Sequence, residues 1–375
     1  MNILIVGDFC PKDRVTSILG TSQQKEILKD VAPIVKQCDL SIVNLECPLL
    51  DIDAKPIIKQ GPNLKGNPIA CDLLHDCGFK LVTLANNHIL DYGEEGIKQT
   101  LLTLDKIKLN YVGVGTNLQK ASHIHYYEKN NQKIAIINCC EHEFSIASDE
   151  TAGANPLNPV NQWYAINEAK KKADYILIIV HGGHEHYSLP SPRMQATYRF
   201  FIDAGADAVI NHHQHCYSGY EIYKEKPIFY GLGNFCFDWE GKRDSGWNYG
   251  YMVELHIDKK IDFTIYPYEQ CNHTPHVKLL QAEKEKKIKD DIQQLNTIIV
   301  SPTLLKKEHE AWMAKDERNW LISLSPVTNR YIQFLMRHKY IPVRISKQKV
   351  IALLNKIACE SHNDKLQYIL KGQIR

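Results

Sequence analysis

Several features that would assign this chain to a common class are missing from its sequence. No apolar run approaches the roughly 20 residues that a membrane-spanning helix needs, and the opening MNILIVGD lacks the basic and long apolar parts of a signal peptide. The formal net charge is only +2, so no surplus of one sign indicates nucleic acid as a partner. We therefore expect a cytoplasmic protein without an integral membrane segment.

The cysteines also lack the pattern of a disulfide or zinc framework. There are 11 of them, an odd number, and no two are spaced as Cys-x-x-Cys. Most of them lie in apolar stretches, which is typical of proteins kept in a reducing compartment. We predict that these thiols are mostly buried and unpaired.

What the sequence does contain is an alternation of short apolar runs and amphipathic segments. The runs at 3–6, 40–45 and 176–180 have the length and composition of strands buried on both faces. Between them, residues 21–37 have helical spacing, and another helix is predicted to stop at Gly78. This alternation predicts an α/β domain with crossover connections, which an antiparallel hairpin at 250–268 closes.

The character of the sequence changes near residue 270. Beyond that point strand patterns disappear, and Lys, Glu and Leu dominate. We therefore predict a core domain at 1–270 and a helical C-terminal extension at 271–375. The predicted helices of the extension are 278–297, 302–323, 325–338, 346–358 and 362–371.

Ligand-type side chains follow five of the predicted strands. They are Asp8, Asn44 with Glu46, Asn87 with His88, His181, and His213 with His215. Ligands bind at the carboxyl ends of strands in such sheets, so we expect these groups to gather there. A mixture of carboxylate, amide and imidazole suits Mn, Fe or Zn better than Ca²⁺ or a structural zinc. The sequence predicts one or two such ions, with Glu46 as the shared ligand.

The order of these motifs resembles the CapA family of capsule and poly-γ-glutamate biosynthesis proteins, in the calcineurin-like metallophosphoesterase superfamily. The resemblance covers residues 1 to about 240. It rests on Gly7-Asp8, NLECPL at 44–49, LANNH at 84–88, HGG at 181–183, HHQH at 212–215 and GLGNF at 231–235. The fold it implies is an α/β, calcineurin-like two-sheet sandwich flanked by helices.

The resemblance also implies roles for individual residues. One metal would be held by Asp8, Glu46 and His215, and the other by Glu46, Asn87, His181 and His213. His88 would protonate the leaving-group oxygen or stabilise charge in the transition state. The residues expected to contact substrate or support the ligands are Asn44, Asp91, Glu185 and Asn234.

Two positions depart from the superfamily pattern. Phosphatases of the superfamily usually carry a histidine two residues after the first aspartate, where this chain has Cys10, and Glu46 stands where they have aspartate. Cys10 is either a thiolate ligand or a buried structural thiol. Three further histidines lie close to the motifs: we interpret His184 and His186 as loop residues, and His212 as pointing away from the site.

Two functions are open at this point. The first is a metal-dependent hydrolase of the phosphoesterase type that acts in capsule, polysaccharide or poly-γ-glutamate biosynthesis, on an anionic polymer or a phosphorylated precursor. The alternative is a non-catalytic accessory protein of surface-polymer synthesis, whose degenerate metal site binds polymer or a synthase partner. Metal content and hydrolytic activity distinguish them.

Overall fold

The computed structural model describes residues 1–373. Its strands are β1 Asn2–Cys10, β2 Leu40–Leu45, β3 Leu81–Thr83, β4 Asn110–Val112, β5 Val114–Gly115, β6 His125–Lys129, β7 Gln132–Cys140, β8 Gly153–Ala154, β9 Tyr175–His181, β10 Ala208–His212, β11 Tyr220–Tyr223, β12 Lys226–Phe229, β13 Asn234–Phe237, β14 Tyr249–Ile257, β15 Ile261–Gln270 and β16 Val277–Leu279. Its α-helices are α1 Arg14–Ile18, α2 Ala32–Gln37, α3 Ala70–Cys77, α4 Gly93–Lys106, α5 Leu118–Ala121, α6 Pro159–Ala169, α7 Pro192–Ala204, α8 Ala282–Ile299, α9 Pro302–Lys315, α10 Glu317–Leu324, α11 Arg330–Arg337, α12 Lys347–Ala358 and α13 Glu360–Gln373.

Two mixed sheets organise the first part of the chain. The first has the order β16-β15-β14-β1-β2-β3-β4, with β13 also paired to β1, and the second has the order β11-β12-β10-β9-β7-β6. The strands β1 to β4 run parallel to one another, as do β7, β9, β10 and β12. The expected α/β sandwich of two sheets with flanking helices is confirmed.

The alternation of side chains along the strands explains the layers. In β1, Ile3 and Ile5 belong to the apolar core that joins strands of both sheets, whereas Leu4 and Val6 belong to the core that joins the first sheet to its helices. Successive residues of a strand point to opposite faces, so an uninterrupted apolar run is what a strand between two layers requires.

The structure corrects one helix of the sequence prediction and confirms another. The segment 21–37 is not one helix: a 3₁₀ helix spans Gln24–Leu28, and α2 begins only at Ala32. Pro33 explains the break, because proline is tolerated in the first turn of a helix but not in its interior. The helix expected to stop at Gly78 is α3, and Gly78 has a left-handed conformation with φ 108°.

The chain divides into two compact units, Met1–Lys306 and a second that begins at Lys307. This division differs from the expected boundary at residue 270. The reason is that β16 pairs with β15, and α8 packs on β11 and β15 with Ile288 and Ile292 in the core between the sheets. Both elements thus complete the first unit.

The second unit consists of helices, as expected for the extension. The guanidinium of Arg318 in α10 donates hydrogen bonds to the carbonyl oxygens of Met336 at 2.7 Å and Ile341 at 3.1 Å. The helix expected at 302–323 is divided into α9 and α10. Across residues 1–373, every helix is too short or too polar to cross a bilayer.

The cysteines have the predicted state. All of them are free, and only Cys216 and Cys359 are partly exposed while the others are buried. Burial raises the pKa of Cys71 to about 12 and that of Cys216 to about 11. These thiols are therefore packing groups of the interior rather than reactive centres.

Candidate metal centre

The candidate ligands lie where the carboxyl ends of strands from both sheets meet. Asp8 in β1 is level with Asn44 in β2 and with Asn234 in β13. In the second sheet, His181 at the end of β9 is level with His212 at the end of β10. The predicted ligands are all buried, with exposed fractions from 0% to 6%: Asp8, Glu46, Asn87, His181, His213 and His215.

A close approach of two backbones fixes the position of Asp8. A Cβ atom on Gly7 would lie 1.9 Å from the carbonyl oxygen of Gly233, so only glycine fits beside the turn that precedes β13. The backbone N–H of Asp8 donates a hydrogen bond to the same carbonyl oxygen at 3.2 Å. The Gly-Asp motif thus places a carboxylate directly against the second glycine-containing motif.

We name the group formed by Glu46, Asn87, His181 and His213 the second half-site. Its centre is Nε2 of His181, which lies 3.0 Å from Oδ1 of Asn87, 3.1 Å from Nδ1 of His213 and 3.4 Å from Oε1 of Glu46. One ring nitrogen cannot satisfy three such neighbours, because it carries at most one proton. Four potential ligand atoms therefore converge on one small space.

We name the group formed by Asp8, Glu46 and His215 the first half-site. Nε2 of His215 lies 3.6 Å from Oε1 of Glu46, while its Nδ1 lies 2.9 Å from Oδ1 of Asn234. Asn234 thereby holds the ring so that Nε2 faces Glu46. The ring of His215 also lies against Trp247, with 4.6 Å between the ring centroids.

Asn44 contacts one candidate ligand of each half-site. Its Nδ2 donates a hydrogen bond to Oδ1 of Asp8 at 2.6 Å and lies 3.2 Å from Nδ1 of His181. Its Oδ1 accepts a hydrogen bond from the hydroxyl of Thr83 at 3.2 Å. An outer residue that contacts one ligand of each half-site fixes their spacing.

Glu46 is common to both half-sites, and its chemistry fits a cation. The two groups of His, Asp and Glu whose ligand atoms lie within 4.8 Å of one another are Glu46 with His181 and His213, and Asp8 with Glu46 and His215. Both carboxylate oxygens of Glu46 are buried without a hydrogen-bond partner in the described part of the chain. Burying a carboxylate in this way is costly unless a cation compensates it. The donor set therefore suits a divalent metal ion.

The electrostatics of the protein groups alone lead to the same interpretation. Burial raises the pKa of Asp8 to about 6, and burial together with the charge of Asp8 raises that of Glu46 well above its ordinary value. Burial and then the neighbouring His213 lower the pKa values of His181 and His215. The protein thus disfavours both carboxylate and imidazolium here, whereas a cation favours carboxylates and neutral imidazoles.

His88 lies beside the second half-site within a group of three ionisable side chains. Its Nδ1 is 2.7 Å from Oδ2 of Asp91 and 3.0 Å from Nζ of Lys59. Lys59 also forms an ion pair with Asp91, although its side chain is only 2% exposed. Asp91 further accepts a hydrogen bond from the backbone N–H of Leu64 at 2.6 Å, which holds the loop that carries Lys59.

Two of the ligand histidines have left-handed backbone conformations. The φ angle is 91° for His213 and 55° for His215. Such angles are uncommon for residues other than glycine. The turn after β10 thus directs two imidazoles that are two residues apart toward the same centre.

Four further residues near the motifs lie around the ligand groups. Glu185 is exposed, and its charge contributes to the raised pKa of Glu46. His186 is also exposed, and its Nε2 lies 3.2 Å from Nζ of Lys242. The ring of His184 lies 6.4 Å from that of Tyr187. His212 does not point away from the site as expected, because its Nδ1 lies 3.5 Å from Oδ1 of Asp8. None of these histidines belongs to the ligand groups found in the described residues.

Of the two interpretations of Cys10, a thiolate ligand or a buried structural thiol, the structure fits the second. Its thiol is fully buried in the apolar core between the first sheet and its helices, and burial with the adjacent Cys47 raises its pKa. Within residues 1–373, no group of three candidate ligands includes it.

The sequence analysis missed three residues at the centre. Oε2 of Glu143 accepts a hydrogen bond from Nδ2 of Asn87 at 3.0 Å. Trp247 packs on His215, and Lys59 contacts His88. Glu143 could have been found, because it follows the end of β7 just as the predicted ligands follow other strands. Lys59 and Trp247 come from irregular segments with no such signal.

Comparison with known proteins shows the family of the chain. Residues 2–239 match the model of the bacterial capsule synthesis protein family PGA_cap. The chain is 32% identical over 267 residues to the "Capsule biosynthesis protein CapA" of Bacillus anthracis, which covers 68% of this chain and 64% of that protein. It is 31% identical over 318 residues to the "PGA biosynthesis protein CapA" of Bacillus subtilis (strain 168), covering 83% and 79%.

A more distant relative has a different description. A "Probable polyglutamine synthesis accessory protein" of Mycobacterium tuberculosis is 29% identical over 171 residues, 42% of this chain and 45% of that protein. The match to the CapA protein of Bacillus anthracis spans 64% of that protein, which is just under two thirds of its length. The family match, in contrast, takes in every candidate ligand in both half-sites together with His88. The chain therefore belongs to the bacterial capsule synthesis protein family PGA_cap, the family of the CapA proteins.

Proposed function

We propose that this chain is a metal-dependent hydrolase of the phosphoesterase type that acts in the synthesis of a capsule, polysaccharide or poly-γ-glutamate-like polymer. The observation that carries the proposal is the pair of half-sites that share Glu46, whose buried carboxylate oxygens accept no hydrogen bond from residues 1–373. The names of the two Bacillus relatives support the biological process.

The metal would be held by the two half-sites, and Mn, Fe or Zn suits their mixed ligands. When bound, such ions polarise a phosphoryl or acyl oxygen and lower the pKa of a bound water. Asp8 and His215 would complete the first half-site, and Asn87, His181 and His213 the second. Glu46 would serve both.

His88 would assist the departing oxygen. Because its Nδ1 faces Asp91 and Lys59, Nε2 is the ring nitrogen that can donate a hydrogen bond to substrate. Lys59 offsets the negative charge of Asp91, and the backbone N–H of Leu64 holds that carboxylate in place. The substrate would be a phosphoester or a carboxylate-rich amide within an anionic polymer or its phosphorylated precursor.

The experiment is metal analysis of the purified full chain by mass spectrometry, followed by hydrolysis of bis-p-nitrophenyl phosphate with added Mn²⁺. We expect bound metal and a turnover that falls by at least about 100-fold in His88→Asn, since general acid catalysis contributes roughly that much. His75→Asn is the matched control, because His75 is an exposed residue of α3. A wild-type protein with neither metal nor activity would contradict the proposal.

The alternative function is a non-catalytic accessory protein that binds polymer or a synthase. Two observations favour it. The first half-site has three protein ligands, and Cys10 is buried in the apolar core where phosphatases of the superfamily usually carry a histidine. The relative from Mycobacterium tuberculosis is described as an accessory protein. Metal bound by the second half-site alone, without any hydrolysis, would support this alternative.

A further inference from the structure

Glu143 lies beside two members of the second half-site, at the atoms that face away from His181. Its Oε2 accepts a hydrogen bond from Nδ2 of Asn87 at 3.0 Å, and its Oε1 lies 3.9 Å from Nε2 of His213. The opposite atoms of the same two side chains, Oδ1 of Asn87 and Nδ1 of His213, face Nε2 of His181. One carboxylate thus touches the outer ends of two candidate ligands.

The position of Glu143 is itself fixed on two sides. The loop after β7 is tied to β9, because the backbone N–H of Glu141 donates to the carbonyl oxygen of His181 at 3.0 Å, and that of Glu143 donates to Glu141 at 3.0 Å. The buried hydroxyl of Ser145 accepts a hydrogen bond from the N–H of Leu90 at 3.4 Å, just beyond His88. The carboxylate is therefore held at the second half-site by the strand that ends in one of its ligands.

The orientation of Asn87 and the tautomer of His213 decide whether these two side chains can bind a cation. An amide presents an acceptor oxygen or a donor NH₂ group, and an imidazole can bind a cation only through a nitrogen that carries no proton. A carboxylate only accepts hydrogen bonds, so Glu143 fixes the NH₂ group of Asn87 on its own side. Its negative charge 3.9 Å from Nε2 of His213 favours the tautomer that carries the proton on that nitrogen. Oδ1 of Asn87 and Nδ1 of His213 are then left to face the cation.

We propose that Glu143 is a positioning residue that sets the amide orientation of Asn87 and the tautomer of His213. It thereby presents Oδ1 of Asn87 and Nδ1 of His213 to a divalent cation in the second half-site. This inference rests on the proposed metal-binding function of the same centre. Carboxylates that orient ligand side chains in this way typically change metal affinity by 10- to 100-fold.

The test is calorimetric titration of the full chain with Mn²⁺, alone and with His213→Ala to identify the ion of the second half-site. We expect Glu143→Ala to weaken binding of that ion by about 10- to 100-fold and to leave the other ion within about threefold. Glu143→Gln should recover part of the loss, because its amide oxygen can still accept the hydrogen bond from Asn87.

Glu185→Gln is the matched charge control. The charges of Glu143 and Glu185 both raise the pKa of Glu46, but across the described residues only Glu143 bonds to a candidate ligand. Both side chains are exposed, so salt screens both charges alike. We expect Glu185→Gln to weaken Mn²⁺ binding by less than about threefold, because it removes a charge without removing a contact to a candidate ligand. Equal losses in Glu143→Ala and Glu185→Gln would show a charge effect alone and overturn the inference.

The remaining outcomes separate this inference from the proposed function. If the wild-type chain binds Mn²⁺ and Glu143→Ala binds it equally well, Glu143 has no positioning role while the hydrolase proposal stands. If Glu143→Ala weakens both ions alike, its effect is a general structural one and the inference fails. If the wild-type chain binds no Mn²⁺ at all, both proposals are wrong.

Discussion

The two half-sites share a carboxylate but are built in different ways. The second gathers an amide and two imidazoles around Glu46, and Glu143 supports it from outside. The first has only Asp8 and His215 beside Glu46, and aromatic packing supports it. The first half-site offers two carboxylates but only three ligand side chains, whereas the second offers four. A fourth ligand replaces more of the hydration shell of an ion, so we expect the second to bind metal more tightly than the first.

Removing the shared ligand should have the largest effect. We expect Glu46→Gln to lose both ions and to weaken Mn²⁺ binding by more than about 100-fold, beyond the usual effect of an outer residue. Titration calorimetry measures the loss, and circular dichroism checks that the fold is intact. Retention of one ion at wild-type affinity would show that Glu46 is not shared.

Removing one imidazole from each half-site should separate the two ions. We expect His213→Ala to abolish the tight class of Mn²⁺ sites and His215→Ala to abolish the weak class. The stoichiometry falls from two ions to one in each variant, because the half-site that is not mutated keeps all of its ligands. The comparison is wrong if His215→Ala removes the tight class.

Removing the aromatic contact to His215 should have a smaller effect, confined to metal binding at the first half-site. An aromatic contact of this kind contributes about 1 kcal/mol, which corresponds to roughly a fivefold change in an equilibrium constant. We expect Trp247→Ala to weaken the first half-site by about that factor, because His215 lies against the indole. The matched control is Trp163→Ala, since Trp163 is an exposed residue of α6. A loss at the second half-site would contradict this assignment.

Replacing Cys10 should have the smallest effect on Mn²⁺ affinity. Its thiol packs in the apolar core, so Cys10→Ala should lower the free energy of unfolding by roughly 1–2 kcal/mol through loss of buried volume. Both Mn²⁺ affinities should stay within about twofold of wild type. Chemical denaturation and calorimetry check the two expectations separately. A selective loss at the first half-site would make Cys10 a ligand.

Much of the centre could be predicted because its residues obey one local rule. Asp8, Glu46, His181 and His213 each follow an apolar run at the carboxyl end of a strand, and parallel strands of both sheets end at the same place. The family motifs then assigned the order of the ligands, and the family is confirmed. Local periodicity therefore carried the information for the layers and for the strand ends.

What could not be predicted depends on contacts between distant segments. Lys59 reaches His88 because Asp91 accepts the N–H of Leu64 and so fixes a loop that has no periodicity of its own. Trp247 lies in a short turn that β13 and β14 bring to His215. Helical spacing at 21–37 was likewise misleading, since Pro33 prevents a continuous helix.

The left-handed backbone conformations of His213 and His215 lower the stability of the fold while they place two candidate metal ligands. Each such residue costs about 1–2 kcal/mol relative to glycine, which adopts these angles freely. Replacing either histidine with glycine relieves that strain and removes a ligand at once. Mutations that remove a candidate ligand can therefore make the metal-free chain more stable. A search for thermostable variants would then select chains that lack a candidate ligand unless metal binding is measured in parallel.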